Sequence, residues 1–162
     1  MERYCVRVAN DSLVFSAAHF ITYGQDTCER LHGHNYRVAA EVQGRLDAHQ
    51  CVVDFVTLRA ILRSLLDELD HRVLLPTAHP LIRVTADDRE VLVGVDNRRW
   101  VFPRGDCVLL PVANTTAELL ARYLGQRLLQ HLSERLKLQP DTLRIEVEEC
   151  SGQTATWELC GQ

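Results

Sequence analysis

The sequence has no run of basic residues, no long apolar run and no Cys-x-x-Cys pair. The net charge is −4 and both signs of charge are spread along the chain, so a phosphate-neutralising surface for nucleic acid is disfavoured. No stretch approaches the ~18 apolar residues that a membrane-spanning helix needs. The start shows no basic segment followed by an apolar one, so no export signal is evident. We therefore expect a cytoplasmic protein with neither a nucleic-acid nor a membrane partner.

Cysteines in a cytoplasmic protein are expected to be reduced thiols. Most of the six cysteines are interpreted as small buried hydrophobes. Cys28 differs because two histidines follow it, at positions 32 and 34. The chain of 162 residues is interpreted as a single domain spanning 1–162.

The hydrophobic pattern predicts three strands, a helix, a hairpin, a second helix and two final strands. Strands are predicted at 2–9, 13–20, 34–44, 142–150 and 154–160, and helices after Asp54 and from Asn114 to about Leu136. This order favours an α+β fold in which two helices pack on one face of an antiparallel sheet. The segment 72–113 is predicted to contain a β-hairpin over 90–102.

Three histidines are candidate metal ligands. In an extended segment, His32 and His34 point to the same face of the sheet, about 7 Å apart along the strand. His19, in another apolar strand-like run, is the candidate third ligand. Three histidines leave one coordination position open, as in catalytic zinc sites. The pattern predicts a Zn²⁺ site with catalytic chemistry.

Cys28 has two interpretations from the residues alone. It is either a fourth metal ligand or a reactive thiol that a nearby base activates. Asp70 and His71 would supply such a base, with the carboxylate fixing the imidazole tautomer. Alternatively, His71 is favoured at its position only by the dipole at the end of the first helix.

Two acidic positions are also ambiguous. Glu118 completes a Thr-x-x-Glu capping box that begins at Thr115. Glu148 and Glu149 point to opposite faces of a strand, so one of the two is expected to be solvated. The other is then a candidate receptor for a donor-rich ligand.

Taken together, six motifs resemble those of the 6-pyruvoyltetrahydropterin synthase / 6-carboxytetrahydropterin synthase family, in order and over nearly the whole chain. They are Phe-Ser-Ala-Ala-His (15–19), Cys-x3-His-Gly-His-Asn-Tyr (28–36), Val-x-Asp-Phe (52–55), Leu-Asp-His (69–71), Thr-x-Glu (116–118) and Val-x-Glu (147–149). The resemblance implies the tunnelling fold, or T-fold. It also implies assembly into ring-like homohexamers with active sites at subunit boundaries.

The resemblance also implies roles for individual residues. The zinc ligands would be His19, His32 and His34. The proton-transfer triad would be Cys28, Asp70 and His71. The pterin ring would be anchored by Glu149, with Thr116 and Glu118 lining its pocket.

The substrate that the resemblance implies is 7,8-dihydroneopterin triphosphate. The compact Cys-x3-His-Gly-His spacing favours conversion to 6-carboxy-5,6,7,8-tetrahydropterin with loss of acetaldehyde and triphosphate, on the route to queuosine. The 6-pyruvoyl product is one alternative. Glu29 resembles the glutamate of members that cleave the side chain to a 6-hydroxymethylpterin for folate synthesis, unless it is only a solvated loop residue. A zinc hydrolase is disfavoured because the sequence lacks a His-Glu-x-x-His arrangement, and a non-catalytic pterin-binding or structural-zinc protein stays as a third class.

Overall fold

The computed structural model describes residues 2–24 and 27–161. Its helices are α1 (Phe55–Asp67) and α2 (Ala117–Leu136). The strands are β1 (Tyr4–Val8), β2 (Val14–His19), β3 (Thr22–Tyr23), β4 (Thr27–Cys28), β5 (His32–Gly44), β6 (Arg72–Pro76), β7 (Arg83–Ala86), β8 (Glu90–Val95), β9 (Arg98–Pro103), β10 (Cys107–Leu110), β11 (Thr142–Cys150) and β12 (Gln153–Cys160).

The main sheet is built around the long strand β5. Its order is β10-β6-β2-β5-β11-β12, and β1 pairs with the far half of β5 beside β2. The pairs around β5 are antiparallel, whereas β6 pairs in parallel with both β2 and β10. The α+β T-fold class is confirmed. The sheet is mixed rather than wholly antiparallel because β6 and β10, which were not predicted as strands, join it in parallel.

The core lies between the helices and one face of this sheet. Alternate residues of the three central strands are buried on that face: Phe15 and Ala17 of β2, Tyr36, Val38, Ala40 and Val42 of β5, and Leu143, Ile145 and Val147 of β11. The leucines of the two amphipathic helices cover them: Leu58, Leu62 and Leu66 of α1, and Leu120, Leu124 and Leu128 of α2. At one end of each strand the next residue on the same face is polar, which places a polar site at the end of the core.

Each helix begins at a side-chain cap. The Asp54 carboxylate accepts a hydrogen bond from the Thr57 amide at 2.7 Å. For α2 the cap is Thr116, whose hydroxyl accepts from the Leu119 amide. The capping box predicted from Thr115 to Glu118 is therefore wrong, because the helix begins one residue later and Glu118 is its second residue. Among the described residues, no helix is both long and apolar enough to cross a membrane.

The segment between the helices contributes to two sheets. Its ends form β6 and β10 of the main sheet, and its middle forms a separate three-stranded antiparallel sheet, β7-β8-β9, which we call the small sheet. The hairpin of the small sheet turns at Asp96 and Asn97. The small sheet packs over a second apolar cluster, which comprises Phe20, Cys28, Leu75, Ile82, Val91, Val93, Val95 and Cys107.

Candidate active site

The three histidines predicted as metal ligands converge at the polar end of the core. His19 lies directly opposite His32 in the β2–β5 pairing, and His34 is two residues further along the same face. The ring centroids are 4.8 Å apart for His19 and His32, 5.3 Å for His19 and His34, and 4.8 Å for His32 and His34. One ligating atom from each ring lies within 4.8 Å of the other two, so the group could hold a metal ion.

Backbone carbonyls orient two of these rings. The Nδ1 atom of His19 is 2.9 Å from the Thr115 carbonyl oxygen, and Nδ1 of His32 is 2.8 Å from that of Arg30. A carbonyl can only accept, so both Nδ1 atoms carry the proton and both Nε2 atoms keep a lone pair for a metal. Burial lowers the pKa of His19, which favours the neutral ring that binds metals. The donor set therefore fits a metal ion.

The third ring has a sulfur neighbour. Nδ1 of His34 lies 3.3 Å from the Sγ atom of Cys150, at the end of β11. A thiol can donate to this nitrogen or accept from it, so the contact holds the His34 ring without fixing its tautomer, and each of the three imidazoles has a partner outside the cluster.

Glu149 and Tyr36 complete the floor of the site. The Glu149 Oε1 atom lies 3.5 Å from Nε2 of His19 and 3.8 Å from Nε2 of His34. The buried Tyr36 hydroxyl donates to the same carboxylate at 3.4 Å. Burial, and then the Glu149 charge, raise the pKa of Tyr36, so its proton stays on the hydroxyl. Tyr36 was missed, although the alternation that identified His32 and His34 extends to it.

A cavity opens beside the Glu149 carboxylate. It has a volume of about 380 Å³, within the range of small-ligand sites. Its walls include Thr116, Glu118 and Glu149, the three residues predicted to bind substrate, together with Ile21 and Gln153. The carboxylate faces both the histidines and this cavity, so a ligand held there would lie next to the metal-binding group.

Cys28 and Glu29 are consecutive residues with side chains in different surroundings. Cys28, at the end of β4, is buried in the second apolar cluster, and this burial raises the pKa of its thiol while the Arg98 charge opposes the shift. The Glu29 carboxylate lies 3.7 Å from Nε2 of His32. Glu29 thus belongs to the segment between β4 and β5, with its carboxylate beside the histidine cluster and its side chain 32% exposed.

Asp70 and His71 follow α1, and the His71 Nδ1 atom lies 3.0 Å from the Asp70 carboxylate. The Asp70 carboxylate also accepts from the Ser16 amide at 2.7 Å, and the His71 side chain is 82% exposed. They lie beside Ser16 and Asn35, residues that alternate with the histidines on β2 and β5. Within the described residues, no hydrogen bond or ion pair joins Asp70 or His71 to Cys28, so one chain does not assemble this triad by direct contact.

Three comparisons with known proteins agree with this architecture. Residues 10–159 match the family model described as 6-pyruvoyl tetrahydropterin synthase. A Methanocaldococcus jannaschii protein named putative 6-carboxy-5,6,7,8-tetrahydropterin synthase is 32% identical over 146 residues, which cover 90% of this chain and 89% of that protein. The Haemophilus influenzae 6-carboxy-5,6,7,8-tetrahydropterin synthase is 27% identical over 123 residues, covering 70% of this chain and 76% of that protein.

Solved structures show the same fold. Plasmodium falciparum 6-pyruvoyl tetrahydropterin synthase superimposes with a TM-score of 0.89 at 27% identity, covering 98% of this chain and 99% of that one. A variant of the Plasmodium vivax enzyme in which a catalytic glutamate is replaced by alanine superimposes with a TM-score of 0.90 at 24% identity, covering 99% and 100%.

Proposed function

Since this chain belongs to the 6-pyruvoyl tetrahydropterin synthase family, we propose that it converts 7,8-dihydroneopterin triphosphate to 6-carboxy-5,6,7,8-tetrahydropterin. One water is consumed, acetaldehyde and triphosphate are the other products, and the reaction belongs to the 7-deazapurine route that leads to queuosine. The observation that carries this proposal is the convergence of His19, His32 and His34 beside a cavity that Glu149 faces. The names of the archaeal and bacterial relatives favour the 6-carboxy product.

The three histidines would hold Zn²⁺, and for His19 and His32 the carbonyl partners of Nδ1 favour ligation through Nε2. Zinc in such a site acts as a Lewis acid toward hydroxyl or carbonyl oxygens of a substrate. Glu149 would accept two donors from the amino-pyrimidine edge of the pterin, which fixes the ring in the plane of the carboxylate. Thr116 and Glu118 would line the same pocket.

Proton transfer is assigned to Cys28, Asp70 and His71. The Cys28 thiolate would remove a side-chain proton from the substrate, and His71, oriented by Asp70, would return one. Because the triad does not meet within one chain, we propose that the exposed His71 imidazole, held by Asp70, serves the Cys28 of a neighbouring subunit. A homohexamer with its sites at subunit boundaries, as the family resemblance implies, would meet this requirement.

One contact favours a second possible product. Glu29 lies next to His32, whereas burial disfavours the thiolate of Cys28. A carboxylate at the metal cluster could serve as the base instead, and the product would then be a 6-hydroxymethylpterin on the folate route. The Plasmodium vivax enzyme of the same fold also has a catalytic glutamate.

The test is product identification by mass spectrometry with zinc-loaded protein and 7,8-dihydroneopterin triphosphate. The wild type should form the 6-carboxy product and acetaldehyde, Cys28→Ala should lose that activity, and Glu29→Gln should keep it. A hydroxymethyl product that disappears in Glu29→Gln and survives in Cys28→Ala would establish the alternative. A wild type that binds zinc but turns over no pterin would contradict both.

A further inference from the structure

Arg98 links the small sheet to the backbone of Cys28 and Glu29. Its Nη2 atom donates to the Cys28 carbonyl at 2.8 Å, and its Nη1 atom donates to the Glu29 carbonyl at 3.1 Å. The two terminal nitrogens of one planar guanidinium thus hold two consecutive peptide carbonyls. Only an arginine presents donors in this fixed fork.

Aromatic stacking holds the arginine itself in place. The Arg98 guanidinium carbon lies 5.5 Å from the ring centroid of Trp100, a cation–π contact. Trp100 in turn stacks on Phe20, with centroids 4.9 Å apart and planes 15° from parallel. Phe20 directly follows His19, so the chain of contacts runs from the small sheet to the histidine cluster.

The same dipeptide is held from its other side. The Glu29 amide donates to the Ile21 carbonyl at 2.9 Å, while Arg98 occupies the two carbonyls. With its backbone held on both sides, the dipeptide directs the Cys28 thiol into the apolar cluster and the Glu29 carboxylate toward His32.

We propose that Arg98 is a positioning residue for the reaction: it fixes the backbone of Cys28 and Glu29 beside the three histidines and makes the small sheet part of the catalytic apparatus. The proposal rests on the proposed function, in which one of these two side chains moves the proton. Removing the guanidinium would leave two carbonyls without their donor, and the dipeptide would be free to rotate away from the histidines.

The charge of Arg98 supports the same role. The charged groups that face the Cys28 thiol are Arg98 and Asp96 from the small sheet and Glu29 from its own segment. Arg98 is the cation among them and favours the thiolate, whereas the two carboxylates and burial oppose it. Loss of Arg98 should therefore make the thiol harder to deprotonate.

The experiment compares Arg98→Ala and Arg98→Lys with Arg99→Ala, which removes a neighbouring exposed arginine of the same strand. Three quantities are measured in each full-length protein: kcat and KM with 7,8-dihydroneopterin triphosphate, bound zinc per chain, and the pH dependence of Cys28 alkylation by iodoacetamide. Tryptic cleavage isolates Cys28 in the peptide Val8–Arg30, which contains no other cysteine.

For Arg98→Ala we expect kcat to fall roughly 10–100-fold, the cost of a misplaced reacting group. KM should stay within about twofold of wild type, because ground-state binding is untouched. Zinc content should be unchanged, and alkylation should require a higher pH. Arg98→Lys keeps the charge and should restore the alkylation profile, but its ammonium cannot replace the fork and kcat should stay low. Arg99→Ala should behave as wild type.

The proposal is overturned if Arg98→Ala matches Arg99→Ala in kcat and in alkylation, or if Arg98→Lys regains full kcat. Should Arg98→Ala fail to fold, Arg98→Lys alone decides between these results. If the wild type turns over no pterin, the proposed function fails by itself. Amide exchange at Cys28 and Glu29 and the alkylation profile then still test the positioning: faster exchange in Arg98→Lys supports it, and unchanged exchange in both variants overturns it.

Discussion

Side chains and backbone groups outside the histidine cluster orient each imidazole of this candidate metal site. Two of these partners are carbonyls, of Thr115 and Arg30, and any residue type would supply them. The third is the Cys150 thiol, which is specific to the sequence and can be removed. The orientation of His34 is therefore the part of the cluster that a single substitution can test.

Cys150→Ala should weaken zinc binding by about tenfold, at the low end for lost partners of metal-bound histidines, because a thiol is a weak hydrogen-bonding group. Zinc affinity is measured by competition with a chromophoric chelator. Cys160→Ala, at the opposite end of the β11–β12 hairpin, is the matched control and should bind zinc as wild type does. Equal affinities in both variants would show that the thiol contact does not orient His34.

Protonation of the Asp70 carboxyl should lower the free energy of unfolding at acidic pH. Burial alone would raise its pKa, but the Ser16 amide and His71 hold the pKa of this carboxyl below its usual value. Such a group stabilises the fold fully above the unfolded pKa of about 3.9, and this stability is lost as pH falls through the lower native value. Asp70→Asn keeps an acceptor for Ser16 but cannot titrate.

Urea unfolding of Asp70→Asn should thus show a shallower fall of the unfolding free energy below about pH 4 than wild type. Asp88→Asn, at an exposed turn position, is the control and should follow the wild-type curve. An unchanged slope in Asp70→Asn would mean that the carboxylate is not stabilised in the folded state.

At the scale of elements, the sequence pattern predicted those strands whose two faces differ in burial. β5 and β11 alternate more buried and less buried residues along most of their 13 and 9 positions, and period-2 patterns of that length are distinctive. β6 and β10 were missed because they are short apolar runs that pair in parallel, without alternation or a hairpin turn to mark them. The histidines were found by the same alternation, whereas Arg98 was not, since its partner lies 70 residues away.

Helix α2 packs on β12 through a glycine. A Cβ atom at Gly125 would overlap ring carbons of Trp157. Alanine is a better helix former than glycine by up to about 1 kcal/mol, but overpacking costs about 1–3 kcal/mol. Gly125→Ala should therefore lower the unfolding free energy by about 1–2 kcal/mol, as measured by urea titration.

The control is to introduce Gly125→Ala into a Trp157→Leu variant as well as into the wild type. With the large ring removed, the helix preference should dominate, and Gly125→Ala should then be neutral or stabilising by up to about 1 kcal/mol. An equal loss of stability in both backgrounds would rule out the Trp157 contact as the cause.

At the scale of the whole molecule, the proposed mechanism requires that Cys28 of one copy meet Asp70 and His71 of a neighbouring copy. Cys28→Ala and His71→Ala should each be inactive. If the site is shared between neighbouring copies, unfolding the two variants together and refolding them should regain activity at about a quarter of the sites in a random mixture.

Turnover of the mixed sample is the measurement, and each variant refolded alone is the control. Size-exclusion chromatography establishes that the refolded mixture has the wild-type oligomeric state. A correctly assembled mixture without activity would mean that Cys28 and His71 act within one chain, and the assignment across a subunit boundary would then be wrong.

On one face of β5 the candidate metal ligands and the buried core residues form a single continuous row. His32 and His34 share a pleat with Tyr36, Val38 and the rest of the buried stripe, so a pairing error of one residue would turn the apolar side chains and both imidazoles outward together. A misfolded copy would thus lose its core and its metal-binding group at once. The strand register that forms the hydrophobic core is therefore also the register that brings together the candidate metal ligands His32 and His34, and a chain without the one would lack the other.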